Sequence, residues 1–195
     1  MTSIEKVSQW IEIFGEKITE NREHLNKLDT AIGDGDHGSN LTRGAAAVKE
    51  KAAENEYENL ADLFKDVGMT LVSKVGGASG PLYGSAFMGM AKKAKDSDDI
   101  ADLLEAGLDG IMKRGKAEVG EKTMIDEWAP VIESIKDGSF NQNIIDDSLE
   151  STREMKATKG RASYLGDRSI GHIDPGAQSS AYLFEALLEA GVING

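Results

Sequence analysis

The chain contains no cysteine in 195 residues, which excludes disulfides, thiolate nucleophiles and zinc–sulfur centres together. Basic residues are scarce, 22 against 34 acidic ones, and the formal net charge is −12. Nucleic acid binding draws on clustered Lys and Arg to meet phosphates, so nucleic acid is excluded as a partner. Anionic membrane surfaces are disfavoured on the same ground. No run reaches the ~18 apolar residues of a membrane span. The opening stretch MTSIEKVSQWIEIFGEK carries charges at Glu5 and Lys6 and has no apolar core like a signal peptide's. Alternating apolar and polar stretches rich in β-branched residues are also missing, which argues against strands. These absences leave an acidic, soluble domain, expected in the cytoplasm.

What remains is enough for one packed domain. The composition is 39% hydrophobic, and a chain of this length buries roughly 70% of the surface its unfolded form exposes. Residues 1–195 are therefore read as one domain. Apolar residues recur at helical spacing along nearly all of it. Ile4, Val7, Ile11, Phe14, Ile18, Leu25 and Leu28 form a first stripe, and a second stretch runs from about Asn40 to Ala52. Further stripes begin near Leu60, after Pro81, near Ile100, at Met124, at Ile144 and at Ala177. The pattern predicts an all-α, single-domain, antiparallel eight-helix up-and-down bundle.

If consecutive helices alternate in direction, connections 1–2, 3–4, 5–6 and 7–8 share one end. They hold 13 of the 22 glycines, from Gly33, Gly35 and Gly38 to Gly160, Gly166, Gly171 and Gly176. The connections at the other end hold only Gly138. Glycine ends many helices, but caps alone would not favour one end so heavily. Glycine also permits close backbone approach to a ligand, so the asymmetry marks one rim as a binding surface.

The richest of these connections reads Leu28-Asp-Thr-Ala-Ile-Gly-Asp-Gly-Asp-His-Gly-Ser-Asn40. Asp29, Asp34 and Asp36 crowd three carboxylates into eight positions. At an effective dielectric near 20, like charges about 4 Å apart repel by ~4 kcal/mol, which a bound cation would relieve. Oxygen-only ligands select a hard ion, Mg²⁺ or Ca²⁺. The alternative is a solvated turn with Asx caps, and this loop alone does not separate the two. Three other motifs fail. Gly33, Gly35 and Gly38 match G-x-G-x-x-G, but a helical stripe precedes them where a dinucleotide fold has a strand. An EF-hand beginning at Asp34 would have Ser39 and Ala45 in place of its glycine and glutamate. Gly110 to Ala117 imitates a P-loop but ends on Ala117 instead of a Mg²⁺-binding hydroxyl.

The other rim connections carry complementary chemistry. Gly76-Gly-Ala-Ser-Gly-Pro-Leu-Tyr-Gly84 opens a helix with small residues and a hydroxyl, the makings of a phosphate cradle. Met124 offers either a core contact or an adaptable face for a flat ring. The stretch Gly160 to Gly176 is long for a compact domain, and its Tyr164, Leu165 and Ile170 suggest that it packs on something. A carboxylate cluster, a glycine-rich helix start and Arg161 or Arg168 on one rim are explained together by metal-bridged polyphosphate binding.

The runs LDTAIGDGDHGSN, GGASGPLYG, EVGEKTMIDEW, GRASYLGDRS and HIDPGAQSS resemble the nucleotide-binding (ADP-binding) L subunit of the phosphotransferase-dependent dihydroxyacetone kinases, in order and over the whole chain. The resemblance implies an eight-helix barrel with the nucleotide at one end. It implies two Mg²⁺ ions on Asp29, Asp34 and Asp36. It also implies an ADP/ATP site drawing on His37, Gly38, Ser39, Asn40, Ala78, Ser79, Gly115, Met124, Arg161, Asp174, Pro175 and Gly176. In such a system bound ADP is rephosphorylated by a phosphohistidine on an M subunit and passes the phosphate to dihydroxyacetone on a K subunit. No general acid or base is assigned to this chain, because in-line transfer relies on positioning and charge neutralisation. His37 and His172 are read as structural. Two alternatives stay open: an ATP-exchanging kinase for another small hydroxyketone or sugar, and an added regulatory role toward a transcription regulator.

Overall fold

A computed structural model describes residues 2–193. Every regular element among them is helical: α1 (Ile4–Glu20), α2 (Arg22–Ile32), α3 (His37–Glu54), α4 (Leu60–Lys74), α5 (Ser79–Lys93), α6 (Ile100–Gly115), α7 (Ile125–Asp137), α8 (Gln142–Glu154) and α9 (Pro175–Glu189), with a 3-10 segment over Arg161–Ser169. None of these helices is long and apolar enough to cross a membrane.

All eight sequence stripes correspond to helices, and the first of them bends. Asn21 ends α1 by donating its side-chain amide to the Lys17 carbonyl at 2.8 Å, and α2 restarts in a new direction. Leu25 stays buried on that second piece. Going round the ring, α1 packs on α3, α3 on α4, and so on to α9, which closes back onto α1. The displaced α2 lies against α3 and α9, so its last turn brings Asp29 to the mouth of the barrel.

The core is built where the stripes converge. Trp10, Phe64 and Phe87 form one aromatic cluster with centroids 6.1–6.5 Å apart, and Trp128 meets Phe184 edge-on at 5.3 Å. Glycines let α4, α5 and α6 approach backbone to backbone. A Cβ on Gly89 would stand 2.3 Å from the Ala106 carbonyl, and one on Gly110 2.4 Å from that of Ser85. A cavity of about 1150 Å³ between α1, α3, α4 and α5 is lined by Ile11, Phe14, Ile18, Val48 and Val67 and extends toward Asn55 and Tyr57. That end carries none of the rim motifs, and the cavity lining includes none of the clustered carboxylates.

One core group is out of character. Glu127 on α7 is fully buried, and neither carboxylate oxygen has a hydrogen-bond partner. Burial, with Glu185 and Asp146 adding to it, pushes its pKa up to about 9. The folded state therefore keeps this proton over a pH range in which the unfolded chain has lost it. Stability falls as pH rises from the ordinary glutamate range toward 9 and levels off beyond. Glu127→Leu should raise stability at pH 8 by on the order of 2 kcal/mol and flatten that slope. Urea unfolding at several pH values measures both, and a destabilised variant with an unchanged slope would contradict the assignment.

Candidate functional site

The acidic loop folds back on its own first carboxylate. Gly35 takes a left-handed φ of +78°, and a side chain on Gly33 would collide with Asp29 Oδ1 at 2.1 Å. Asp29 Oδ2 accepts the backbone N–H groups of Asp36 (2.9 Å) and His37 (3.1 Å). It thereby caps α3 from the preceding helix, since the Asp36 side chain makes no capping bond. Asp29 is buried while Asp34 and Asp36 are exposed, and one oxygen from each lies within 4.8 Å of the others. Burial holds the Asp29 carboxyl above the usual range, against the two N–H bonds, and the charges of Asp34 and Asp36 push the same way. Three carboxylates in this arrangement repel one another and gain from a divalent cation. Arg161 reaches the loop from the 3-10 segment, its Nε 3.3 Å from Asp34 Oδ2. This ion pair is exposed and contributes little to stability.

The start of α3 joins the starts of α5 and α9. The buried His37 ring lies with Nδ1 2.9 Å from Ser79 Oγ and Nε2 2.9 Å from Ser179 Oγ. Burial lowers its pKa to about 4, against the opposing pull of Asp34 and the Pro175 carbonyl, so the imidazole is neutral. Gly38 packs on α2 so closely that a Cβ would lie 2.1 Å from the Arg22 carbonyl. Asn26 accepts the Ser39 N–H at 3.0 Å and donates to the Ser39 hydroxyl at 2.9 Å. Asn40 lies against Gly76, whose Cβ would be 2.9 Å from Asn40 Oδ1. In the first turn of α5, Leu82 is the first N–H to find a carbonyl of the preceding turn, that of Ala78. The N–H groups of Ser79 and Gly80 are orphaned by their position.

The far side of the mouth is held by a buried ammonium. Lys122 is 1% exposed and sits at a left-handed φ of +62°. Its Nζ donates among five carbonyls: Thr152 (2.8 Å), Arg153 (3.4 Å) and Met155 (3.1 Å) at the end of α8, then Ser169 (2.8 Å) and His172 (2.5 Å). Burial pulls its pKa down, opposed by Asp174 and Glu154. Asp126 steadies the same turn by accepting the N–H groups of Gly120 (2.6 Å) and Thr123 (2.8 Å). Asp174 caps α9 by accepting from Ala177 N–H at 2.9 Å, and burial pushes its carboxyl up to about 7. Gly176 abuts the buried Met124, with 3.4 Å from its Cβ position to that of Met124.

Residues 31–189 match the family model for the DAK2 domain. The chain belongs to the DAK2 domain family. It is 52% identical over 188 residues to the PEP-dependent dihydroxyacetone kinase 1, ADP-binding subunit DhaL, of Listeria innocua, covering 94% of this chain and 95% of that one. It is 51% identical to the PTS-dependent dihydroxyacetone kinase, ADP-binding subunit DhaL, of Lactococcus lactis, covering 97% and 98%. Among solved structures it resembles the dihydroxyacetone kinase of C. freundii in complex with AMP-PNP and Mg²⁺. There the TM-score is 0.78 with 29% identity, over 97% of this chain and 34% of that one. This chain thus spans about a third of that kinase.

The residues singled out from sequence gather at one mouth. Asp29, Asp34, Asp36, His37, Ser79 and Arg161 form one group linked by the contacts above, with Gly38, Ser39, Asn40 and Ala78 on the same helix starts. Met124, Asp174, Pro175 and Gly176 form a second group, joined to the first where α9 carries Ser179 to His37. Gly115 stands at the end of α6, where a Cβ would lie 3.2 Å from Leu82 on α5. One expectation is corrected. Tyr164 is 87% exposed and Ile170 is exposed too, so those two side chains do not hold the long connection, although Leu165 is half-buried and Ile173 buried. Polar anchors do: the Lys122 cage, and Ser169, whose hydroxyl accepts the Ala157 N–H at 2.9 Å. Lys122, Ser179 and Asn26 were missed, although Lys122 and Ser179 lie inside the quoted motifs.

Proposed function

We propose that this chain is the ADP-binding subunit of a phosphoenolpyruvate-dependent dihydroxyacetone kinase, holding ADP through two Mg²⁺ ions at the Asp29–Asp34–Asp36 mouth. The observation that carries this reading is the convergence of the three carboxylates within 4.8 Å, with the burial that raises Asp29. The donor set fits Mg²⁺, being hard oxygen throughout, and the neighbour carrying AMP-PNP and Mg²⁺ has the same fold. Bound there, the metal would neutralise phosphate charge as the phosphoryl group passes in and out.

The chain's own residues would bind and orient. Asp29, Asp34 and Asp36 offer the carboxylate oxygens. The orphaned N–H groups of Ser79 and Gly80 would meet phosphate oxygens at a helix start, where the helix dipole favours an anion. His37, Gly38, Ser39, Asn40 and Ala78 would continue along the phosphates. Arg161 is placed to leave Asp34 for phosphate. Gly115, Met124, Asp174, Pro175 and Gly176 would frame the nucleoside, Met124 giving an apolar face and the glycines close approach. None of these groups needs to move a proton. Dihydroxyacetone would sit on a separate K subunit, and a phosphohistidine of an M subunit would recharge the bound ADP.

The test is to load the purified chain with ADP, add a phosphohistidine donor subunit, and weigh the bound nucleotide by mass spectrometry. Conversion to protein-bound ATP, discharged on adding the K subunit and dihydroxyacetone, is expected. Rapid consumption of free ATP without any donor subunit would favour the ATP-exchanging kinase instead.

A further inference from the structure

Six side chains form one hydrogen-bonded chain from the core to the mouth, and its donors and acceptors can be counted. Trp128 Nε1–H can only donate, and it does so to Ser180 Oγ at 3.0 Å. The Ser180 hydroxyl lies 3.1 Å from Tyr83 Oη, which lies 2.7 Å from Ser179 Oγ. With Ser180 donating to Tyr83, the tyrosine proton goes on to Ser179. The Ser179 hydroxyl has its own acceptor, the Gly176 carbonyl at 3.1 Å. A hydroxyl has one proton and two lone pairs. With that proton on Gly176, both lone pairs of Ser179 are left to receive, one from Tyr83 and one from His37 Nε2.

We infer that His37 is a positioning residue, locked as the Nε2–H tautomer by Ser179. Its bare Nδ1 then takes the Ser79 hydroxyl proton, so that Ser79 shows the mouth an oxygen lone pair. On the reading of the site given above, on which this inference rests, Ser79 Oγ would be free to accept from a water of the metal held by the aspartates. Phosphate oxygens, which need donors, are left to the backbone N–H groups of Ser79 and Gly80. Residues outside the coordination shell that orient it change metal affinity by about 10–100-fold when removed. The hydroxyl chain thus tunes the metal, while the helix start binds the phosphates.

The tautomer is read on the ligand-free, full-length chain by long-range ¹H–¹⁵N correlation, with His37 assigned by its loss in His37→Gln. A pyrrole-type Nε2 and a pyridine-type Nδ1 are expected, and the reverse assignment overturns the inference whether or not ADP binds. In parallel, Mn²⁺ binding with ADP present is followed by electron paramagnetic resonance. Ser79→Ala should weaken it about tenfold. Unaltered Mn²⁺ affinity in Ser79→Ala, with weakened ADP binding, would mean that Ser79 donates to phosphate and would reject the inference. No Mn²⁺ binding by the unmutated chain would instead reject the site reading itself.

Discussion

Asp34→Asn combined with Asp36→Asn is expected to weaken Mg²⁺-dependent ADP binding roughly a thousandfold, measured by calorimetric titration. Each carboxylate contributes up to ~4 kcal/mol of attraction to a nearby unit charge at an effective dielectric of 20, and ~1.4 kcal/mol is a factor of ten. The same double change should not harm the metal-free fold. Both residues are exposed, and losing their charges relieves repulsion on buried Asp29, whose carboxyl should titrate closer to its ordinary range. A variant that is as stable as the parent or more so, yet no longer binds ADP, separates ligation from folding. Asp29 is a poorer choice for this purpose, because it also caps α3 through two backbone N–H groups, so its loss mixes the two effects.

Lys122→Met carries the largest expected cost in stability, about 3–5 kcal/mol. Methionine nearly matches lysine in length but leaves five carbonyls from α8, the 3-10 segment and the approach to α9 without their donor. For a chain of this size that corresponds to a fall in melting temperature of roughly 10 °C. Because Lys122 is the cation that ties these segments together, limited proteolysis should cut first between about residues 155 and 173. ADP affinity should fall with it, since Asp174 and Gly176 follow directly. A melting temperature within a degree or two of the parent would show that the cage is solvated and carries no structural role.

The helical stripes were legible because an apolar face of period 3.6 survives single substitutions, and the crowding of glycine at one rim was legible because the residue type itself reports close approach. The bend at Asn21 was not. Periodicity reports which face is buried, and Ile18 before the bend and Leu25 after it are both buried, so the stripe runs through it unbroken. The three aspartates stood out because like charges so close in sequence call for a neutralising partner. Lys122 did not, because lysine is ordinarily a surface residue and only the fold shows five carbonyls turned on it. Glu127 was hidden in the same way inside a polar-looking Asp-Glu pair. Ser179 and Ser180 look like ordinary polar positions in α9. Only the placement of His37, Tyr83 and Trp128 against them, from three other helices, gives them a role. Tyr164 and Ile170 misled because apolar side chains in a long connection suggest packing, whereas this connection is held by polar anchors.

The central claim is tested most directly by titrating ADP into the unmutated, nucleotide-free chain, with Mg²⁺ and again with Mg²⁺ replaced by EDTA. Tight one-to-one binding that appears only with the metal is the predicted result. Equal affinity in both titrations would contradict the claim that the aspartate mouth grips the diphosphate through divalent ions.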